Sequence, residues 1–376
     1  MNKIILIGNG FDLAHGLRTS YEDFFFWCLK QYGYSLLHES SKEVSDGLCS
    51  LKIKEDVEVH SWASVYQGWY FKRENPFIQW NEYDAFFNAF QDKNLCDFSF
   101  TSQLFKRIWN RIQLGWVDIE NEYFSLLTEE QMSFDKGFVK PNYKEINSHL
   151  DILRDKLIQY LNRESEKETP VVDNISDIIY RPIKEREISV AYKKTLGENA
   201  IEDIKPSATM FLNFNYTKTP EKYLSDSSEV LVNYIHGHLE NPESVIFGYG
   251  DELDSDFKKL QNLNDNECMR HIKSIRYLEA DSYRKMQEFI ESDTFQVIIL
   301  GHSCGLSDRT LLNTLFEHKN CVSIKPYYYV NKEGKDNHLD IIQNISRNFT
   351  DMKLMRDRVV NKTFCEPFVN YKESQE

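Results

Sequence analysis

The chain has 376 residues, 41% of them hydrophobic and 14% aromatic, and a net charge of −14. That is enough apolar material for one large domain or two of ordinary size, and the acidic surface disfavours nucleic acid, whose phosphate backbone is met by clustered lysine and arginine. Seven cysteines without a C-x-x-C pair and ten histidines without H-E-x-x-H exclude a disulfide framework and give no metal signature.

Residues 3–7 form a short apolar run ending at Gly8, which predicts a buried parallel strand. A strand starting at Asn2 leaves no room for a signal peptide. No apolar run reaches about 18 residues, the length that spans a bilayer. A soluble cytoplasmic protein, with no membrane partner, is therefore expected. Gly8-Asn-Gly-Phe-Asp-Leu-Ala-His-Gly16 reads as a loop turning into a helix, and Thr19-Ser20 as the cap of a second helix carrying Phe24, Trp27 and Cys28 on one face.

From 34 to 205 apolar residues recur at helical spacing, as in Phe86, Phe87 and Phe90, then Leu104, Ile108 and Ile112. This predicts a large helical insertion. Its charged end, 162–206, has the composition of an exposed loop or arm. Strands are predicted again at 209–213, 230–235, 244–247, 296–300 and 321–330, with helices over 253–292 and a helix 308–318 capped by Ser307. Strands alternating with helices imply an α/β fold, a Rossmann-like parallel sheet with a large helical insertion after the first β-α unit. The expected division is 1–33 with 206–350 as the nucleotide-binding domain, 34–205 as the insertion and 351–376 as a C-terminal tail.

Ligands of open parallel sheets bind beyond the carboxyl ends of the strands. The predicted ends carry Gly8-Asn9-Gly10, Asn213-Phe-Asn215, His236-Gly-His238 and Gly301-His302-Ser303. The first loop is no G-x-G-x-x-G fingerprint, because Leu13 stands at the third glycine and the next glycine is Gly16. Its glycines still permit close backbone approach to a pyrophosphate. Gly8, Asn9, Gly10, Phe11, Asp12, Gly16, Gly301, His302, Ser303 and Asp308 are the candidate ligand contacts. Asn215 and His236 are the candidate catalytic pair, an amide to position water and ribose and a histidine to take a proton near neutral pH. The alternative for each is structural, Asn215 as the cap of a helix near Lys218 and His236 as a satisfied strand-end histidine. His238 shares a face with His236, but no third metal ligand follows at a suggestive spacing.

Gly301-His-Ser-Cys-Gly305 also matches G-x-S-x-G between strand and helix, the setting of a serine nucleophile, with Asp308 or Asp336 and His338 as partners by type. Asp118 and Glu120 place two carboxylates in the helical insertion, where a solvated helix face is the plainer reading.

Gly8-Asn-Gly-Phe-Asp-Leu-Ala-His-Gly-Leu17 with Thr19-Ser-Tyr-Glu-Asp-Phe24 resembles the opening of the AbiH abortive-infection proteins. Trp116-Val-Asp-Ile-Glu120, Asn213-Phe-Asn-Tyr-Thr217, Ile235-His-Gly237 and Gly301-His-Ser303 followed by Ser307-Asp308 resemble the same family, in order along the chain. The resemblance implies a role in bacterial defence against phage, with a phage trigger or partner defence protein and a homo-oligomer among its expected partners. A more distant likeness is to sirtuin-like proteins. Gly8–Asp12 with Gly16-Leu17 falls on their glycine loop, Asn213–Thr217 on T-Q-N-x-D, His236-Gly237 on the catalytic His-Gly and Gly301–Ser303 on G-T-S. That likeness implies a sirtuin-like pocket for NAD or a related adenine nucleotide, as substrate or ligand and with no further cofactor, and Asn215 and His236 at the ribose. The chain departs from it at Thr217, where an acid is expected, at Arg18, where proline is expected, and in lacking four zinc cysteines. A protein deacylase is thereby disfavoured. NAD hydrolysis is the expected activity, with a nucleotide-binding switch and a serine hydrolase as alternatives.

Overall fold

The computed structural model describes residues 1–38, 41–58, 90–113, 118–196, 203–224 and 230–370. Phe86, Phe87, Trp116 and Val117 lie outside them. The chain divides into two compact units, Met1–Ser20 with Leu161–Glu376, and Tyr21–Tyr160.

The first unit is built on a five-stranded parallel sheet. Its strands are β1 (Asn2–Ile7), β2 (Thr209–Asn213), β3 (Val230–Tyr234), β4 (Phe295–Leu300) and β5 (Cys321–Pro326). Their order across the sheet is β5-β4-β1-β2-β3. β1 is central, with Lys3 opposite both Thr209 and Gln296. The chain runs outward in one direction from β1 to β3, then returns to β1's other side for β4 and β5. In open α/β sheets ligands bind beyond the carboxyl ends of the strands at such a reversal; here those ends carry Gly8 and Gly301.

Both faces of the sheet are covered, which is why its inner strands read as unbroken apolar runs. Ile4, Leu6, Leu212, Val297 and Ile299 pack on one side against Leu311, Leu315, Phe316, Ile290 and Ile345. Ile5, Ile7, Phe211, Ile298 and Leu300 pack on the other against Phe11, Ile175, Ile178, Ile179 and Tyr223. Alternate side chains of one strand thus feed two cores.

Three expectations are corrected. Ser244–Phe247 is not a strand: a 3-10 turn, Pro242–Ser244, precedes it, and Val245, Ile246 and Phe247 are buried in irregular chain, with the Ile246 N–H donating to the His236 carbonyl at 2.9 Å. The run 321–330 is not continuous. Pro326 offers no N–H to a ladder, and Tyr328–Val330 pairs instead with Pro367–Asn370 in a separate two-stranded sheet. Ser307 does not cap the next helix. A 3-10 turn, Leu306–Asp308, leads into the helix Arg309–Phe316, and Asp308 holds the cap position without a capping bond because its carboxylate is engaged elsewhere.

The second unit is not purely helical. It contains an antiparallel sheet of Glu43–Ser45, Cys49–Ile53 and Cys96–Phe100 beside helices Tyr21–His38, Gln103–Gln113 and Ile119–Asp135. Leu104, Ile108 and Ile112 are buried on the expected helical face. The charged stretch after 162 belongs to the first unit and is partly ordered, with a helix at Asp173–Tyr180. Residues after 350 form the helix Met352–Arg358 and the strand Pro367–Asn370. No helix among the described residues is long and apolar enough to cross a membrane.

Candidate functional site

The loops after β1 and β4 meet backbone to backbone. Gly8 leads into a short helix, Asn9–Ala14, and the Gly10 N–H donates to the Gly301 carbonyl at 2.8 Å. A Cβ on Gly10 would lie 2.9 Å from Gly301, and one on Gly8 would lie 2.6 Å from the His302 Cα. Gly301 has φ +77°, and a Cβ there would sit 2.2 Å from the Phe11 nitrogen. These glycines are required by the contact between two loops. The Gly10 and Phe11 N–H groups are already taken by the Gly301 and Gly8 carbonyls. Gly16, with φ +81°, follows the helix in the conformation that commonly ends one. Phe11 is buried in the core against His15 and Tyr223. Asn9 is exposed and accepts from the Thr19 hydroxyl at 2.5 Å.

The Asn213–Thr217 turn follows β2. Asn213 is fully buried and folds the turn on itself, its amide donating to the Thr217 carbonyl at 3.0 Å and its Oδ1 accepting from the Asn215 N–H at 3.1 Å. The Asn215 side-chain amide donates to the Gly8 carbonyl at 2.9 Å, tying this turn to the end of β1. The Thr217 hydroxyl donates to Asp12 Oδ2 at 2.7 Å. Burial pushes the Asp12 carboxyl up to about 6, while the polar side chains of Thr217, Thr219 and Asn215 pull the other way. A carboxyl so placed exchanges protons near neutral pH.

A second polar cluster is centred on Asp308. Oδ1 lies 2.8 Å from Lys273 Nζ and 3.2 Å from His236 Nε2, and Oδ2 lies 3.6 Å from His302 Nε2. The Tyr277 hydroxyl is 3.1 Å from the same His236 nitrogen, and its ring stacks parallel to the imidazole. Burial alone would raise the Asp308 carboxyl; Lys273 and His236 outweigh it and hold it well below the usual range. Burial and Lys273 lower His236, so it is neutral at pH 7. A carboxylate accepts only, so the proton of neutral His236 sits on Nε2. His236 Nδ1 then carries a lone pair and makes no hydrogen bond among the described residues. His302 accepts the Cys304 N–H at Nδ1, 3.0 Å away, which puts its proton on Nε2 toward Asp308. The Phe214 ring packs against both imidazoles, at 5.3 and 4.1 Å between centroids.

The structure thus brings His236, His302 and Asp308 together, and Asp12 and Asn215 beside Gly8. Lys273 and Tyr277 were missed by sequence reasoning. Lys273 sits on a four-residue helix and is buried, yet nothing around Ile272-Lys-Ser-Ile-Arg276 separates it from a surface lysine.

The serine-hydrolase geometry is absent. Among the described residues Ser303 is exposed and has no histidine partner, His338 Nε2 is buried without a hydrogen-bond partner, and Asp308 serves other groups. The positive φ expected of a strained nucleophile falls on Cys304, at +55°, whose buried thiol is pushed up by desolvation. Asp118 and Glu120 belong to the second unit. Asp118 caps the helix Ile119–Asp135 through the Asn121 N–H at 3.0 Å, and Glu120 is buried on its first turn. Among the described residues no group of His, Cys, Asp and Glu is arranged to hold a metal ion, and none of the seven cysteines is in a disulfide.

A family model described as "Bacteriophage abortive infection AbiH" matches residues 4–329. No match was found among the curated proteins.

Proposed function

Because the chain belongs to the bacteriophage abortive infection family AbiH, and so to proteins of phage defence, we propose that it acts there by binding NAD at the carboxyl edge of its parallel sheet and hydrolysing the nicotinamide–ribose bond. The strand order, written from β3 as 3-2-1-4-5, is that of a doubly wound nucleotide-binding sheet less its last strand. The observation that carries the reading is the pair His236–Asp308. A buried carboxylate fixes the proton on Nε2 and leaves Nδ1 as the base.

In the proposed reaction the C–N bond breaks with its electron pair leaving on nicotinamide. Water adds to the ribose carbon and gives its proton to His236 Nδ1, and the imidazolium so formed is stabilised by Asp308. The products are nicotinamide, ADP-ribose and a proton. The Oδ1 of Asn215, left over after its amide binds Gly8, is the acceptor for a ribose hydroxyl or the attacking water. The sirtuin likeness lacks an acid at Thr217; Thr217 instead holds the carboxyl of Asp12, on the helix after β1, which supports a working site.

The test is to incubate purified protein with NAD, with and without phage lysate, and follow free nicotinamide. His236→Ala, Asn215→Ala and the double variant are expected to fall to a similar floor, each by on the order of 10²-fold or more, with much smaller changes in NAD affinity. Tight binding without nicotinamide release by the parent replaces the enzyme with a binding switch. Full rates in both alanine variants move the site elsewhere.

A further inference from the structure

An open cleft of about 220 Å³ lies beside the Asn213–Thr217 turn, with Thr217 and Thr219 on its inner wall and Lys167, Lys218 and Lys222 around it. Three lysines converging on one cleft stand out in a chain of net charge −14. Their charges are unequally met. Lys167 Nζ is 2.5 Å from Glu164, and Lys218 pairs with Glu240. Lys222 Nζ donates only to neutral oxygens, the Thr169 carbonyl at 2.8 Å and the Thr169 hydroxyl. Its charge is uncompensated by any carboxylate among the described residues.

A nucleotide bound at this sheet edge needs a seat for its phosphates. The glycine loop is a poor one, because its Gly10 and Phe11 N–H groups are spent on Gly301 and Gly8 and its helix is six residues long. We propose that the lysine cleft seats the phosphate groups of the ligand, with Lys222 as the principal cation and Lys167 and Lys218, each paired with a glutamate, as secondary ones. Thr217 connects this seat to Asp12 at the strand ends. The size of the cleft and the acidity of the remaining surface favour a small phosphorylated ligand over a long polyanion. Glu240 neutralises Lys218 and so holds the affinity down. The inference rests on the nucleotide reading only for the identity of the ligand.

The test is titration calorimetry of the full chain with inorganic pyrophosphate and, in a second arm, ADP, at low salt. The parent is expected to bind both. Lys222→Gln should weaken each at least fivefold, and Lys222→Gln with Lys167→Gln more than tenfold. Glu240→Gln should tighten binding severalfold by releasing Lys218, a gain that a merely structural role of the pair would not produce. Lys319→Gln, an exposed lysine outside the cleft, should change nothing. Failure of the folded parent to bind either probe overturns the inference, as does equal binding by parent and Lys222→Gln. Probe binding without NAD turnover leaves the phosphate seat standing and removes the enzyme. NAD turnover with an unchanged KM in Lys222→Gln does the reverse.

Discussion

The hydroxyl of Thr217 donates to the carboxyl of Asp12 across 205 residues of sequence, at 2.7 Å. It joins the turn after β2 to the short helix after β1, and it contacts an acid that has no cation beside it among the described residues.

Asp12→Asn should stabilise the protein above pH 6 and not below pH 4. The folded carboxyl is raised to about 6 from an ordinary 3.8, so the folded state holds the proton through that window and ionising it at pH 7 costs up to about 3 kcal/mol. An amide carries no such cost, and its oxygen can still accept from Thr217. Urea denaturation at pH 7.5 and at pH 4 checks this; an equal difference at both values would show that burial does not raise this carboxyl.

Asp308→Asn should destabilise by about 3–5 kcal/mol, because it removes the carboxylate that faces the buried Lys273 ammonium. Adding Lys273→Met should recover most of the loss, and the two effects should be strongly non-additive in a double-mutant cycle.

Lys273→Met alone should raise the His236 pKa, since Lys273 and burial are what lower it. The sign for stability follows. In the parent the unfolded histidine takes its proton first, so stability falls as pH drops below the ordinary value of about 6.5. Asp308, depressed, keeps its contribution above the ordinary value of 3.8 and loses it progressively as pH falls from there through its own low folded value. NMR titration of His236 in parent and variant reads the shift directly, and an unmoved or lowered value contradicts the assigned cluster.

Gly301→Ala should cost about 2–4 kcal/mol, from the positive φ and from overpacking against Phe11. Gly10→Val should unfold the strand-end junction rather than merely block a ligand. Thermal melts decide: a Gly10→Val variant with the parent's melting temperature would mean that the two loops do not pack as described.

Ser303→Ala should lose little activity, and a fluorophosphonate probe should not label Ser303, because no histidine reaches its hydroxyl. Labelling at Ser303 with loss of turnover would restore the nucleophile.

The sheet was legible because its strands are buried on both faces and must be apolar throughout. Thr209–Asn213 matches its expected bounds, and the strands expected at 3–7 and 296–300 each begin one residue earlier. The same signal misled at Val245–Phe247, since a buried irregular segment has the composition of a buried strand. His236, His302 and Asp308 were visible as strand-end polar residues, but their convergence was not. Lys273 completes the cluster from a helix that carries no periodic pattern, and a lysine's burial is decided by a carboxylate 35 residues away. The glycines were found for the wrong reason: sequence shows that a Cβ is missing, not whether a ligand or Gly301 fills the space.

The centrality of β1 sets a schedule for synthesis. It leaves the ribosome well before either of its two neighbours, Thr209–Asn213 and Phe295–Leu300. At about 5–20 residues per second, it waits roughly 15–60 s for the second of them, with at least one hydrogen-bonding edge unpaired throughout. Folding dominated by such distant pairings is slow. Nascent chains truncated before Phe295 should therefore be held by chaperones or aggregate, and the strand-end junction that carries the polar clusters comes into existence only after Phe295–Leu300 has been made.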